Sequence, residues 1–187
     1  LAYKIGLFFS NVNKQIVIGI DPRDSSEELA YALLRGLKKH PNVKYAGVIP
    51  TPGLMYYSLK NKTIAIMVTA SHNQYKDNGI KVIENGVKIS KDYVKQIELF
   101  IDRNEDVIYK DIFNKNELII DEIVVDEYLD FITSRIPEFR FNVIFDGANG
   151  AYSYILKKLF NHHSLINCEP NGKNINLDCG STSPSML

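Results

Sequence analysis

Apolar and polar positions follow two alternating patterns along the chain. Residues 16–20 and 64–68 are short, nearly continuous apolar runs, which is typical of strands buried on both faces. Between them, Leu29, Leu33 and Leu37 recur at helical spacing, which is typical of an amphipathic helix. The alternation of the two patterns predicts an α/β protein built in layers on a largely parallel or mixed sheet.

The remaining elements are predicted in the same way. We expect strands at residues 43–49 and 141–145, and helices at residues 1–10, 53–60, 91–103, 124–136 and 152–160. An Asn-Gly pair at residues 85–86 marks the tight turn of a hairpin between residues 80–83 and 87–89. Ser25, followed by Glu28, predicts a capping box at the start of the second helix.

The charged and irregular stretch at residues 103–116 divides the chain into two units. It carries no apolar periodicity, and strand–turn–helix patterns lie on both sides of it. We therefore predict one domain over residues 1–115 and a second over residues 116–187. Both units have the same alternation of elements, so we expect them to be similar α/β domains.

Charge and cysteine content narrow the classes of function. The 22 Lys and Arg balance the 22 Asp and Glu, so nothing suggests a nucleic-acid or acidic-membrane partner. No apolar run approaches the roughly 20 residues of a membrane span. Cys168 and Cys179 do not make a disulfide framework, which favours a reducing, cytoplasmic location. With His162 and His163 they match no common zinc spacing.

The loop at residues 69–81 concentrates the candidate chemistry directly after a buried strand, where open α/β sheets bind ligands. A serine such as Ser71 can carry a phosphoryl group, and phosphoserine needs nearby cations. His72 and Lys81 can supply positive charge or move protons, and Mg²⁺ would suit the same oxygens. The residues alone leave open a solvated loop in which Asn and Asp serve turns.

An ordered set of motifs resembles the α-D-phosphohexomutase family. Thr-Ala-Ser-His-Asn at residues 69–73 resembles its phosphoserine signature, and Asp-Asn-Gly-Ile-Lys at residues 77–81 resembles the continuation found in the glucosamine-phosphate branch. Further matches follow in the family's order, at residues 18–23, 50–52, 146–151 and 171–182. Gln74 departs from the family, which usually has a proline there. Proline would stiffen the turn by fixing φ.

The resemblance implies a fold and a reaction. It implies two similar three-layer α/β domains with mixed sheets, the first lacking its N-terminal strand. The reaction would interconvert glucosamine 6-phosphate and glucosamine 1-phosphate through a phosphoserine and a sugar bisphosphate. Two alternatives stay open: a mutase acting on mannose or glucose phosphates, and an inactive fragment that only binds a partner. For a mutase of either kind, the resemblance implies a phosphorylated hexosamine or hexose as the substrate.

The resemblance also assigns roles to residues. Ser71 would carry the phosphoryl group, with one phosphate oxygen on Mg²⁺, while His72 and Lys81 would assist by hydrogen bonding and proton transfer. Arg23 and Asn73 would help to bind the cofactor and substrate. The other metal ligands would lie outside this chain, in domain three of a four-domain enzyme whose domains three and four are missing here, so we expect the 187 residues alone to be inactive. A homodimer is left open.

Overall fold

The computed structural model describes residues 1–137, 139 and 141–184, and its first unit is built on a five-stranded sheet. The strands are β1 (Ile16–Ile20), β2 (Val43–Val48), β3 (Ile64–Val68), β4 (Ile80–Glu84) and β5 (Val87–Lys88). They lie in the order β2-β1-β3-β4-β5. The first three are parallel, whereas β4 and β5 form the predicted antiparallel hairpin. The sheet is therefore mixed, as predicted.

Helices cover both faces of this sheet. They are α1 (Ala2–Phe9), α2 (Ser26–Gly36), α3 (Thr51–Asn61), α4 (Lys91–Arg103) and α5 (Ile123–Thr133), while a sixth helix, α6 (Tyr152–Leu159), lies in the second unit. Along β3, Ile64, Ile66 and Val68 pack into the core formed with α1, α2 and α4. Ala65 and Met67 point the other way and pack with α3 and α5. Because alternate side chains enter opposite cores, the unit has three layers.

The first turns of α2 and α3 differ in detail from the sequence prediction. α2 begins at Ser26, and the Ser25 side chain makes no capping bond. Ser25 has φ −84° and ψ −7° rather than the extended backbone that N-cap residues usually adopt, so the predicted capping box is wrong. α3 begins at Thr51, two residues early, because Pro50 is extended and the first helical turn tolerates Pro52.

The second unit is smaller in the described part of the chain. Strands β6 (Ile144–Asp146) and β7 (Ser164–Ile166) are parallel neighbours, and α6 lies between them in sequence. Strand β6 therefore begins at Ile144, later than the strand predicted at residues 141–145. Phe145 and Phe160 stack with ring centroids 4.5 Å apart in its small core. The α/β class is confirmed. Residues 185–187 of the predicted second domain lie outside the described residues.

Helix α5 connects the two units. Val124 is fully buried in the core beneath the first sheet, although it follows the predicted boundary at residues 115–116. The Tyr128 hydroxyl lies 2.9 Å from that of Tyr152 in α6. The position of the boundary stays a prediction. Both cysteines are free and buried, and in the described ranges no helix has the length and apolar character needed to cross a membrane.

Candidate active site

The loop that carries the candidate serine, residues 69–79 and called here the serine loop, joins the end of β3 to the start of β4. The two strands are antiparallel neighbours, and the Thr69 N–H donates to the Gly79 carbonyl at 2.9 Å, which closes the base of the loop. Its backbone thus begins and ends on the sheet, while its tip is exposed. The loop follows the carboxyl end of a parallel strand, the usual place for a ligand site in an α/β sheet.

Ser71 stands at the tip of the loop beside a lysine. Its φ is +56°, in the left-handed region that costs a residue with a side chain about 1–2 kcal/mol. Its N–H donates to the Thr69 hydroxyl at 3.0 Å. The Lys81 ammonium group, on β4, donates to Ser71 Oγ. The structure thus brings together the predicted phosphoryl carrier and the predicted proton-transfer residue.

Arg23 lies beneath the serine loop and is buried. Its Nε donates to Asp21 Oδ2 at 2.8 Å. Its Nη1 and Nη2 donate to four carbonyl oxygens of the loop, those of Ser71, Asn73, Gln74 and Asp77. A guanidinium has five N–H donors, and all five are used inside the protein. Arg23 therefore holds the loop, and the direct ligand contact expected of it would require breaking one of these bonds.

Asp21 anchors the same region and was not predicted as a site residue. It is 4% exposed, and its Oδ2 accepts from Thr69 Oγ1 at 2.7 Å as well as from Arg23. Its Oδ1 accepts from Ser26 Oγ at 2.9 Å. Asn78 Nδ2 donates in turn to the Ser26 hydroxyl at 3.0 Å. The Asp-Pro-Arg turn after β1 was the available signal, but spacing alone could not show which loop it would support.

The described residues do not by themselves fit a magnesium site. No group of three or more His, Cys, Asp or Glu side chains in residues 1–137, 139 and 141–184 is arranged to hold a metal ion. Both oxygens of Asp21, a buried carboxylate next to the loop, already accept hydrogen bonds. Ser71 Oγ is exposed and available to carry a phosphoryl group, which would offer at most part of a ligand set.

His72 and Asn73 have exposed side chains next to Ser71. Neither side chain hydrogen-bonds to another residue in the described part of the chain, so the structure assigns them no partner. The Asn73 backbone carbonyl accepts a hydrogen bond from Arg23. The roles expected of these two residues stay predictions.

A cleft of about 310 Å³ opens in front of Ser71, and both units line it. The first unit contributes the start of α3, with Pro50 and Thr51, and the serine loop. The second unit contributes the turn after β6 and Asn176. A ligand at Ser71 would therefore contact both units.

The turn after β6 forms the far wall of this cleft. Asp146 accepts hydrogen bonds from Ala148 N–H at 2.8 Å, from Asn167 Nδ2 at 3.1 Å and from Gly180 N–H at 2.7 Å. Burial acts to raise the pKa of Asp146, but these three donors outweigh it, so the pKa lies below its ordinary value. An ionised Asp146 therefore fixes the wall.

The first unit is thus a three-layer α/β domain with a serine and a lysine paired at the carboxyl end of its sheet. Residues 1–107 match the family model of phosphoglucomutase/phosphomannomutase, alpha/beta/alpha domain I. The chain belongs to this family.

Curated relatives agree with the assignment, and solved structures share the fold. A phosphoglucosamine mutase of Buchnera aphidicola is 36% identical over 94% of this chain and 41% of its own length. One from Fusobacterium nucleatum is 35% identical over 100% of this chain and 45% of its own length. A phosphoglucomutase/phosphomannomutase family protein from Burkholderia thailandensis superposes with a TM-score of 0.67 at 25% identity, over 91% of this chain and 40% of that one. The putative phosphomannomutase of Thermus thermophilus gives 0.70 at 22% identity, over 92% and 41%. The chain thus spans less than half the length of these relatives.

Proposed function

We propose that this chain is the serine-bearing part of a phosphosugar mutase that interconverts glucosamine 6-phosphate and glucosamine 1-phosphate. The observation that carries the proposal is the exposed Ser71 hydroxyl beside the Lys81 ammonium group, on a loop anchored by a buried arginine. The names of the curated relatives, which match 94% to 100% of the chain, support glucosamine phosphate as the substrate class.

In the first transfer, Ser71 donates its phosphoryl group to the free hydroxyl of the sugar phosphate. The bond from Ser71 Oγ to phosphorus breaks, and a bond from the sugar oxygen to phosphorus forms. The proton of the sugar hydroxyl passes to solvent, and Ser71 Oγ gains one. Lys81 contacts Oγ and is placed to give that proton. The product is a sugar bisphosphate.

In the second transfer, the bisphosphate turns round and Ser71 takes its other phosphoryl group. The bond from the sugar oxygen to phosphorus breaks as a bond from Ser71 Oγ to phosphorus forms. Lys81, which gave its proton in the first transfer, takes the proton of the Ser71 hydroxyl, and the sugar oxygen takes one from solvent. Phosphoserine carries a charge of about −1.5 to −2 at neutral pH, so the Lys81 cation also stabilises the phosphorylated state. Catalysis by this chain would consist of positioning and charge neutralisation.

The complete enzyme would include two further domains and work in the cytoplasm. Mg²⁺ would bind one oxygen of the phosphoserine, with its remaining ligands outside this chain, and would neutralise phosphate charge. Two observations support metal ligands from outside this chain: Ser71 is exposed, and both Asp21 oxygens already accept hydrogen bonds.

The proposal is tested by labelling the complete enzyme with glucosamine 1,6-bisphosphate that carries radioactive phosphate. We expect label on Ser71 in the wild type, none in Ser71→Ala, and undiminished labelling in Ser90→Ala, which alters a helix cap outside the serine loop. The 187 residues alone should show no turnover. Label that persists in Ser71→Ala would contradict the role of Ser71, and faster labelling by a mannose or glucose bisphosphate would contradict the sugar.

A further inference from the structure

We infer that Asn176, in the second unit, is a positioning residue for Ser71, so that the second unit completes the geometry of the phosphoryl-carrying serine. The inference rests on the proposed function, because it concerns the serine that would carry the phosphoryl group. It adds a residue that the motif around Ser71 does not contain, 105 positions along the chain.

Two donors from the two units meet on one carbonyl oxygen. Asn176 Nδ2 lies 3.0 Å from the Ser71 carbonyl oxygen, and Arg23 Nη2 lies 2.9 Å from the same atom. Both groups also reach the Asn73 carbonyl oxygen, at 3.5 and 3.1 Å. A carbonyl oxygen accepts two hydrogen bonds through its two lone pairs. The Ser71 carbonyl is therefore saturated by one donor from each unit.

The hydrogen bonds from Asn176 and Arg23 to the Ser71 carbonyl, called here the clamp, affect the position of the reacting hydroxyl. Its oxygen lies in the peptide plane that follows Ser71, so fixing the oxygen fixes the Ser71 backbone in its left-handed conformation. That backbone sets the direction in which Oγ leaves the chain toward Lys81. The tip of the loop is exposed, so packing does little to hold it. A misplacement of about 1 Å can slow a reaction by roughly 100-fold.

The segment that presents Asn176 is itself held at two points. The Asp24 N–H donates to the Gly172 carbonyl at 3.1 Å, which ties the segment to the turn after β1. The Asn176 N–H donates to the Ala148 carbonyl at 2.9 Å, which ties it to the turn after β6. Asn176 has φ +58°, a conformation that asparagine adopts more readily than most residue types. The amide group is thus aimed at the serine loop by its own backbone.

Glycine and aspartate are the informative substitutions at this position. Asn176→Gly removes the amide group while keeping the left-handed backbone accessible. Asn176→Asp keeps the size but turns a carboxylate toward two carbonyl oxygens, so it replaces attraction by repulsion. Asp178→Gly is the matched control: Asp178 also has a left-handed backbone, with φ +51°, and is exposed. Its side chain makes no hydrogen bond or ion pair with another residue that the structure describes.

The experiment measures single-turnover transfer from glucosamine 1,6-bisphosphate to unphosphorylated Ser71 in the complete enzyme, over a range of bisphosphate concentrations. We expect Asn176→Gly to lower the maximal rate about tenfold, and Asn176→Asp to lower it further. The half-saturating concentration should stay within about twofold of the wild type, because the Asn176 amide nitrogen is already engaged by two carbonyl oxygens of the serine loop. Asp178→Gly should match the wild type in both.

A purely structural role is separated by measuring the folded fraction of each variant and expressing the rate per folded molecule. Wild-type rates in both Asn176 variants would overturn the inference and leave the proposed function intact. An equal loss of maximal rate in Asp178→Gly would also overturn it. So would an effect of the Asn176 variants on the half-saturating concentration alone. Absence of label on Ser71 in the wild type would overturn both proposals together.

Discussion

At the scale of single residues, the site depends on where each reacting group is attached. Ser71 sits on a loop, whereas Lys81 sits on β4, opposite Met67 of β3 in the sheet register. The backbone of Lys81 is therefore fixed by a strand ladder, and its ammonium group reaches Oγ from a rigid base. The position of Ser71 depends on the hydrogen bonds that hold its loop, whereas the position of Lys81 is fixed by the strand.

Lys81→Met should slow phosphoryl transfer to and from Ser71 by about 100-fold, since it removes both the charge and the proton-transfer group at similar length. Lys81→Arg keeps the charge but cannot release a proton, and so should recover only part of the rate. Single-turnover labelling of the complete enzyme measures both variants. Lys88→Met, on the exposed strand β5, is the control. A wild-type rate in Lys81→Arg would contradict proton transfer while leaving the charge effect.

At the scale of elements, α1 and α2 pack backbone against backbone. A Cβ on Gly36 would lie 2.2 Å from the Tyr3 carbonyl oxygen, and one on Gly6 would lie 2.3 Å from the Leu33 carbonyl oxygen. Any side chain at either position would push the helices apart. This close approach sets α1 on the sheet, where Phe9 is fully buried in the core.

Gly36→Ala should lower the free energy of unfolding by about 1–3 kcal/mol, because overpacking outweighs the better helix propensity of alanine. Urea denaturation followed by circular dichroism measures the change. Gly150→Ala is the matched control, since a Cβ there meets its nearest atom at 3.4 Å, an ordinary contact. Equal stability of Gly36→Ala and the wild type would mean that the helices can separate at no cost.

At the scale of the whole molecule, the second unit is held largely by polar contacts between distant segments. Asp146 connects its own turn with Asn167 and Gly180. The buried Asn149 accepts from the Glu169 N–H at 3.1 Å. The hydrophobic core of the second unit is smaller than either core of the first unit. Its stability should therefore depend on ionisation more than that of the first unit.

The Asp146→Asn variant tests this dependence. The folded-state pKa of Asp146 is lowered, so the carboxylate stabilises the fold above the ordinary aspartate pKa. That stability is lost as the pH falls from about 4 through the lower folded-state pKa. We expect Asp146→Asn to be about 1 kcal/mol or more less stable at neutral pH, with a gap that narrows in acid. Urea denaturation at a series of pH values measures it, with the exposed Asp178→Asn as control. A gap that is the same at every pH would contradict the assignment.

Local pattern determined several features of this protein. The strands at residues 16–20 and 64–68 have the predicted bounds, because a strand covered on both faces must be apolar throughout. The hairpin at residues 80–88 follows from its Asn-Gly turn. The ordered set of motifs that includes the one around Ser71 also indicated the family that the comparisons show.

Only the tertiary structure decided which side chains hold the candidate active site in place. The Ser25 hydroxyl, predicted to cap a helix, instead accepts a hydrogen bond from Asn78, 53 positions along the chain. Arg23 donates hydrogen bonds to loop carbonyls, and Asn176 reaches the same loop from the second unit. Backbone carbonyls are identical in every residue type, so no sequence pattern shows which side chain will satisfy them. That choice exists only once three distant segments have been folded against one another.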